Sequence, residues 1–69
     1  MDTLDKIIFL TDKKVGIGIP MVVIGRYLGC HPSTITYYLE GKKEMKEHVR
    51  EQYEEGIARL IKDFNKIME

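Results

Sequence analysis

Apolar residues recur at three- and four-residue spacing in four stretches of this 69-residue chain, separated by proline, glycine and polar breaks. In the first stretch Leu4, Ile7, Ile8 and Thr11 share one helical face. Asp2 or Thr3 can cap that helix, which is expected to run through Leu10. Residues 12–19, DKKVGIGI, read as a loop or a ragged helix end, because Gly16 and Gly18 discourage regular structure. Pro20 suits the first turn of a second helix reaching about Leu28, where Gly29 supplies the positive φ of a helix end. Pro32 opens a third helix in the same way and Gly41 closes it. From Lys43 to Met68 no proline intervenes, so one long helix is expected. Gly56 is its weak point, at a cost of about 1 kcal/mol against alanine. No strand is convincing: Ile17–Ile24 holds β-branched residues, but Pro20 and Gly25 break the alternation. The expected fold is all-α, a helix-turn-helix unit of three short helices followed by one long C-terminal amphipathic helix.

Residues 21–41, MVVIGRYLGCHPSTITYYLEG, are the most informative segment. At 100° per residue, Met21, Ile24, Gly25 and Leu28 fall on one face of the second helix, and Ile35, Tyr38 and Leu39 form an opposing apolar face on the third. Gly25 stands where the two helices must approach closely. The other side of the third helix displays Ser33, Thr36, Tyr37 and Glu40, with His31 and Pro32 at its tip. Buried and outward positions thus separate as docking in a DNA groove requires.

On these residues the segment resembles the helix-turn-helix of phage repressors, the Cro and lambda-repressor type of regulator. The shared spacing is a small residue, a glycine four positions later and a β-branched aliphatic six after that, here Gly25, Gly29 and Ile35. Ile24 and Leu28 match as core residues, Ser33-Thr34-Ile35 as the opening of the reading helix, and Tyr38 with Glu40-Gly41-Lys42-Lys43 as its close. The resemblance implies duplex DNA as partner, with Pro32, Ser33, Thr36 and Tyr37 toward base edges. Arg26, His31, Thr34, Lys42 and Lys43 are the expected phosphate contacts. The segment departs from the family at Gly25, where alanine is usual, and at His31, where a Ser or Thr cap is common. It also lacks the outward Gln, Asn or Arg of bidentate base contacts, so shape and phosphate positioning are expected to share the readout.

The last stretch carries an apolar stripe: Met45, Val49, Tyr53, Ile57, Leu60, Ile61, Phe64, Ile67 and Met68, with most charges opposite. Its first part can cover the helix-turn-helix. Ile57, Leu60, Ile61, Phe64, Ile67 and Met68 extend beyond so small a core and are expected to form a homodimer seam. The spacing is not a strict heptad, so no regular coiled coil is expected. Val22, Val23 and Tyr27 also look outward from the second helix.

Length and charge refine this picture. Residues 1–69 suffice for a single domain, divided into a DNA-binding unit over 1–43 and the long helix over 44–69. A chain this short is marginal alone, which favours pairing. Lys and Arg number 11, as do Asp and Glu, but the balance is uneven: residues 1–43 carry +2 and residues 44–69 carry −2. No apolar run approaches a membrane span and the N-terminus is acidic, so a cytoplasmic location without membrane contact is expected. The single cysteine, Cys30, fits a reducing compartment. Cys30, His31 and the distant His48 lack zinc spacing, Gly16-Ile17-Gly18 lacks the lysine of a phosphate loop, and Ser33 lacks nucleophile-elbow glycines. No metal, no cofactor and no enzymatic activity are therefore expected. The expectation is a small dimeric sequence-specific DNA-binding protein, a transcriptional repressor or regulator of phage or mobile-element type. The alternative is a protein-interaction module on the same scaffold, such as a phage-encoded inhibitor of a host protein, with the stripe docking that partner.

Overall fold

The computed structural model describes residues 2–68, with side chains described for residues 2–66. It is all-helical among the described residues: α1 (Thr3–Thr11), α2 (Met21–Leu28), α3 (Pro32–Leu39) and α4 (Glu47–Met68). Asp2 caps α1 by accepting the Asp5 N–H at 2.9 Å. The buried residues of α1 are Thr3, Ile7 and Leu10; of the expected face, Ile7 is buried, Leu4 packs half-buried against the core, Thr11 is half-buried and Ile8 faces solvent. Leu10 is buried on this face with Ile7, and Thr3 shares it. Glu54 of α4 accepts a hydrogen bond from the Thr3 hydroxyl at 2.8 Å and pairs with Lys6, so the inward Thr3 has its hydroxyl satisfied.

After α1 the chain doubles back on itself. The Ile17 and Ile19 N–H groups donate to the Phe9 and Leu10 carbonyls, at 3.1 and 2.7 Å. The Asp12 carboxylate accepts from the Lys14 and Val15 amides and holds the bend. Pro20 takes the N-cap position of α2 rather than its first turn. At the far end Gly29 adopts φ 75°, ψ 32°, and both its N–H and that of Cys30 return to the Gly25 carbonyl. That left-handed residue turns the chain sharply enough for α3 to begin three residues later.

The long helix starts at Glu47, later than the expected Lys43. The Gly41 and Lys42 amides still close α3, bonding the Tyr38 and Tyr37 carbonyls. The chain must then reverse before α4 can begin, and half-buried Met45 pins that reversal to the core. Helical geometry begins where the Lys46 carbonyl receives the Val49 and Arg50 amides.

One core gathers side chains from all four helices: Ile7 and Leu10, Ile24 and Leu28, Ile35 and Tyr38, and Tyr53, Ile57 and Leu60. Each such burial contributes roughly 1.5–3 kcal/mol. The Tyr38 and Tyr53 rings meet edge to face, with centroids 5.8 Å apart. Buried Tyr53 places its hydroxyl 3.2 Å from the Cys30 thiol, which donates to it. Burial raises the Tyr53 phenol above its ordinary value and keeps it neutral.

α4 packs chiefly along α2 and less on α1, while α3 packs chiefly on α2. Gly56 makes the first contact possible, which gives its propensity cost a purpose. A Cβ there would lie 2.5 Å from the Tyr27 carbonyl oxygen and 3.0 Å from the Leu28 Cα. The same packing corrects the expected pairing seam. Ile57 and Leu60 are 2% and 3% exposed and belong to the chain's own core. Within the expected set, Ile61 is exposed and Phe64 half-buried, and the side chains of Ile67 and Met68 lie outside those described.

Candidate nucleic-acid interface

α3 begins with a proline because its first amide needs no helical partner, and His31 supplies the cap in place of Ser or Thr. The His31 Nδ1 accepts the Ser33 N–H at 3.1 Å and lies 2.8 Å from the Ser33 hydroxyl. With Nδ1 accepting, the ring's proton sits on Nε2, which is left to donate outward. Ser33 is exposed, and Pro32 and Thr34 are half-exposed beside it. One turn on, the Thr36 hydroxyl donates to the Pro32 carbonyl at 3.1 Å. Its donor is spent inside the helix, so Thr36 offers a methyl group and an acceptor. Tyr37, 51% exposed, projects from the same side.

The opposite side of α3 is core: Ile35 and Tyr38 are buried and Leu39 half-buried. Ser33 and Tyr37 are one turn apart on the open side, with Thr36 beside them. The helix thus presents a row of hydroxyl-bearing residues and no carboxylate until Glu40. Gly25 lets the two helices of the unit close up, since a Cβ there would lie 2.7 Å from the Cys30 carbonyl oxygen.

Cations gather at the C-terminal end of α3. The Lys42 ammonium lies 2.9 Å from a Glu40 carboxylate oxygen and 5.7 Å from the Tyr37 ring centroid. Lys43 stands 5.7 Å from the Tyr38 ring centroid. Both lysines are exposed, as is Arg26 on α2. The structure therefore brings Pro32, Ser33, Thr36 and Tyr37 to one face of one helix, with His31 and Thr34 at its tip and Lys42 and Lys43 past its end. Arg26 reaches solvent from the preceding helix.

Two features escape sequence reasoning. Gln52 and Arg59 of α4 donate to the last carbonyls of α2, Leu28 at 2.6 Å and Tyr27 at 2.9 Å. On a helical wheel both read as ordinary polar positions, and their only signal is that they bracket Gly56. The second is an open groove of about 130 Å³ between α2 and α4, lined by Ile19, Val23, Tyr27, Leu60, Asp63 and Phe64. The Tyr27 hydroxyl donates to Asp63 at 2.6 Å on its rim, and that bond raises the Tyr27 phenol above its ordinary value.

No grouping of three or more His, Cys, Asp or Glu side chains fit for a metal occurs among the described residues. No helix among them is long and apolar enough to cross a membrane. Comparison of the chain with protein-family models, curated proteins and solved structures finds no match.

Proposed function

We propose that this chain is a small dimeric, sequence-specific DNA-binding protein that acts in the cytoplasm as a transcriptional regulator of phage or mobile-element type, by binding and not by catalysis. The observation that carries the reading is the outer face of α3, where Ser33 and Tyr37 stand exposed while Ile35 and Tyr38 bury the other side. α3 enters the major groove with its N-terminus leading. Ser33 and Tyr37 meet base edges there, Pro32 and the Thr36 methyl supply apolar contact, and His31 Nε2 and Thr34 reach phosphate. Arg26, Lys42 and Lys43 neutralise phosphates on either side and release counterions. Hydroxyl contacts discriminate weakly, so the deformability of the duplex carries part of the sequence preference.

Pairing supplies the second reading helix, about 34 Å from the first along the duplex. Ile61 and Phe64 are the described residues of the expected seam that remain accessible to a partner copy. Repression then follows from occluding a promoter.

A salt titration of duplex binding tests the reading. Three phosphate-contacting cations in each of two protomers predict a slope of log K against log salt near −5. Arg26→Ala and Lys42→Ala weaken binding to every duplex, and Tyr37→Ala changes which duplex is preferred. Retention of no duplex from a random pool at low salt would overturn the reading. That result would favour a protein-interaction module, for which the apolar groove beside Tyr27 and the balanced net charge speak.

A further inference from the structure

We infer that Gln52 and Arg59 are positioning residues that aim the reading helix, an inference that rests on the DNA-docking reading above. A helix leaves its last carbonyls without partners from its own backbone. In α2 the Gly29 and Cys30 amides both return to the Gly25 carbonyl, and the Tyr27 and Leu28 carbonyls are met from outside. Gln52 Nε2 donates to Leu28 at 2.6 Å and Arg59 Nη2 to Tyr27 at 2.9 Å. Between these donors lies Gly56, whose bare Cα allows α4 to touch that same turn. Three residues spaced along one edge of α4 thus grip the last turn of α2, directly before the left-handed Gly29.

The place of that grip is what gives it a function. α3 packs chiefly on α2, with Tyr38 also meeting Tyr53 of α4, and α4 packs chiefly on α2 and α1, so the direction of α3 depends in large part on the end of α2. α3 has eight residues and is about 12 Å long. A tilt of about 10° at the turn moves its far end by about 2 Å, which exceeds the tolerance of a hydrogen bond to a base edge or phosphate. The two donors hold that tilt fixed before DNA arrives, and a preset geometry lowers the ordering cost of binding. Neither residue needs to touch DNA.

The test uses the full chain, a duplex selected by the parent protein, and Gln52→Met, which removes the donor without changing charge or much length. Melting curves establish that the variant is folded at the assay temperature. Gln52→Met is expected to bind about tenfold more weakly, with an unchanged salt slope, because no phosphate contact is lost. Arg59→Met is expected to do the same, Arg59→Lys to recover part of the loss, and the double variant to fall short of the product of the two, since both donors hold one turn. Arg26→Ala, by contrast, is expected to make the slope shallower by about one. Parental affinity in a folded Gln52→Met protein overturns the inference and leaves the DNA reading standing. A slope made shallower by Arg59→Met and Arg59→Lys unchanged from the parent would also overturn it, by making Arg59 a phosphate contact. Failure of the parent to bind any duplex removes both. Should Gln52→Met not fold, the parent decides: the Gln52 side-chain amide protons should exchange slowly and resonate apart from those of a free glutamine, and free-glutamine behaviour overturns the inference.

Discussion

Replacing Gly56 with alanine pits two physical effects against each other. Intrinsic helix propensity favours alanine by about 1 kcal/mol, and the position lies well inside α4. Against it stands the wall of α2: the new Cβ would lie 2.5 Å from the Tyr27 carbonyl oxygen, where ordinary contact is 3.4 Å or more. α4 must therefore retreat by about 0.9 Å locally. The same retreat stretches the Gln52 and Arg59 bonds, now 2.6 and 2.9 Å, to or beyond the limit of a hydrogen bond. Two such bonds contribute about 1 kcal/mol each, and a gap of that width forfeits a quarter to a half of the local dispersion energy. Net destabilisation is then about 1–3 kcal/mol, and a domain of this size loses roughly 4–8 °C of melting temperature per kcal/mol. Thermal unfolding followed by far-UV circular dichroism should show a drop on the order of 10 °C. Ala58→Gly, at an exposed position of the same helix, isolates the propensity effect and should cost about 1 kcal/mol. A Gly56→Ala protein that melts at or above the parent's temperature would refute the close-approach argument.

Further outcomes follow from the same contacts. Leu60→Asp should unfold the chain, because Leu60 is core, whereas Ile61→Asp should leave it folded and shift its sedimentation toward monomer; an unchanged dimer mass would remove Ile61 from the seam. Glu40→Gln frees Lys42 from its carboxylate, so duplex affinity should rise severalfold at low salt, and equal affinity would show that the ion pair does not compete with phosphate. Lys6, and after it Thr3, hold the Glu54 carboxyl below its ordinary 4.5, so this group binds protons more readily when the chain unfolds. Its stabilisation is complete above pH 4.5 and fades as pH falls through the lower folded value; in Glu54→Gln, urea unfolding should depend less on pH in that acid range. Tyr53→Phe keeps the ring against Tyr38 and loses only the bond with Cys30, for about 1 kcal/mol, while Tyr53→Ala opens a cavity worth about 3–5 kcal/mol and should abolish cooperative melting.

The helices were legible because their punctuation is strong. Pro20 and Pro32 fix φ at helix starts, Gly29 and Gly41 permit the positive φ of helix ends, and the helix boundaries around them fall within a residue of expectation. The core of the helix-turn-helix was legible for a similar reason: Ile24, Leu28, Ile35 and Tyr38 sit on short helices whose two faces differ sharply in polarity. What the pattern did not carry was rotation and reach. Ile8 is as apolar as Ile7, and the packing of α1 on α4, distant in sequence, with Glu54 bonded to Thr3 and Lys6, accompanies a face that buries Thr3, Ile7 and Leu10 and leaves Ile8 out. The α4 stripe is wide enough to suggest a surplus for pairing, yet half of the expected seam residues whose side chains are described, Ile57 and Leu60, are consumed by α2 and α1. Gly56 reads as a defect on a propensity scale because its reason lies on another helix. The outward residues of α3 were identifiable from the wheel alone, while the donors Gln52 and Arg59 were not, since nothing in their local sequence distinguishes a carbonyl clamp from a solvated surface.

The ties between α1 and the middle of α4 bear on how the molecule is made. Tyr53, Ile57 and Leu60 leave the ribosome after every residue of the proposed groove-reading segment, and they supply three of the nine core side chains among the described residues. A nascent chain that has emerged only as far as Leu39 therefore has its corner glycine, its hydroxyl-bearing rod and six of those nine core side chains, with no α4 to close over them. Premature termination before Leu60 leaves that interior incomplete, and such a fragment is expected to be less stable than the full chain. On the DNA-docking proposal, such a fragment would not compete with the full chain for the same stretch of duplex.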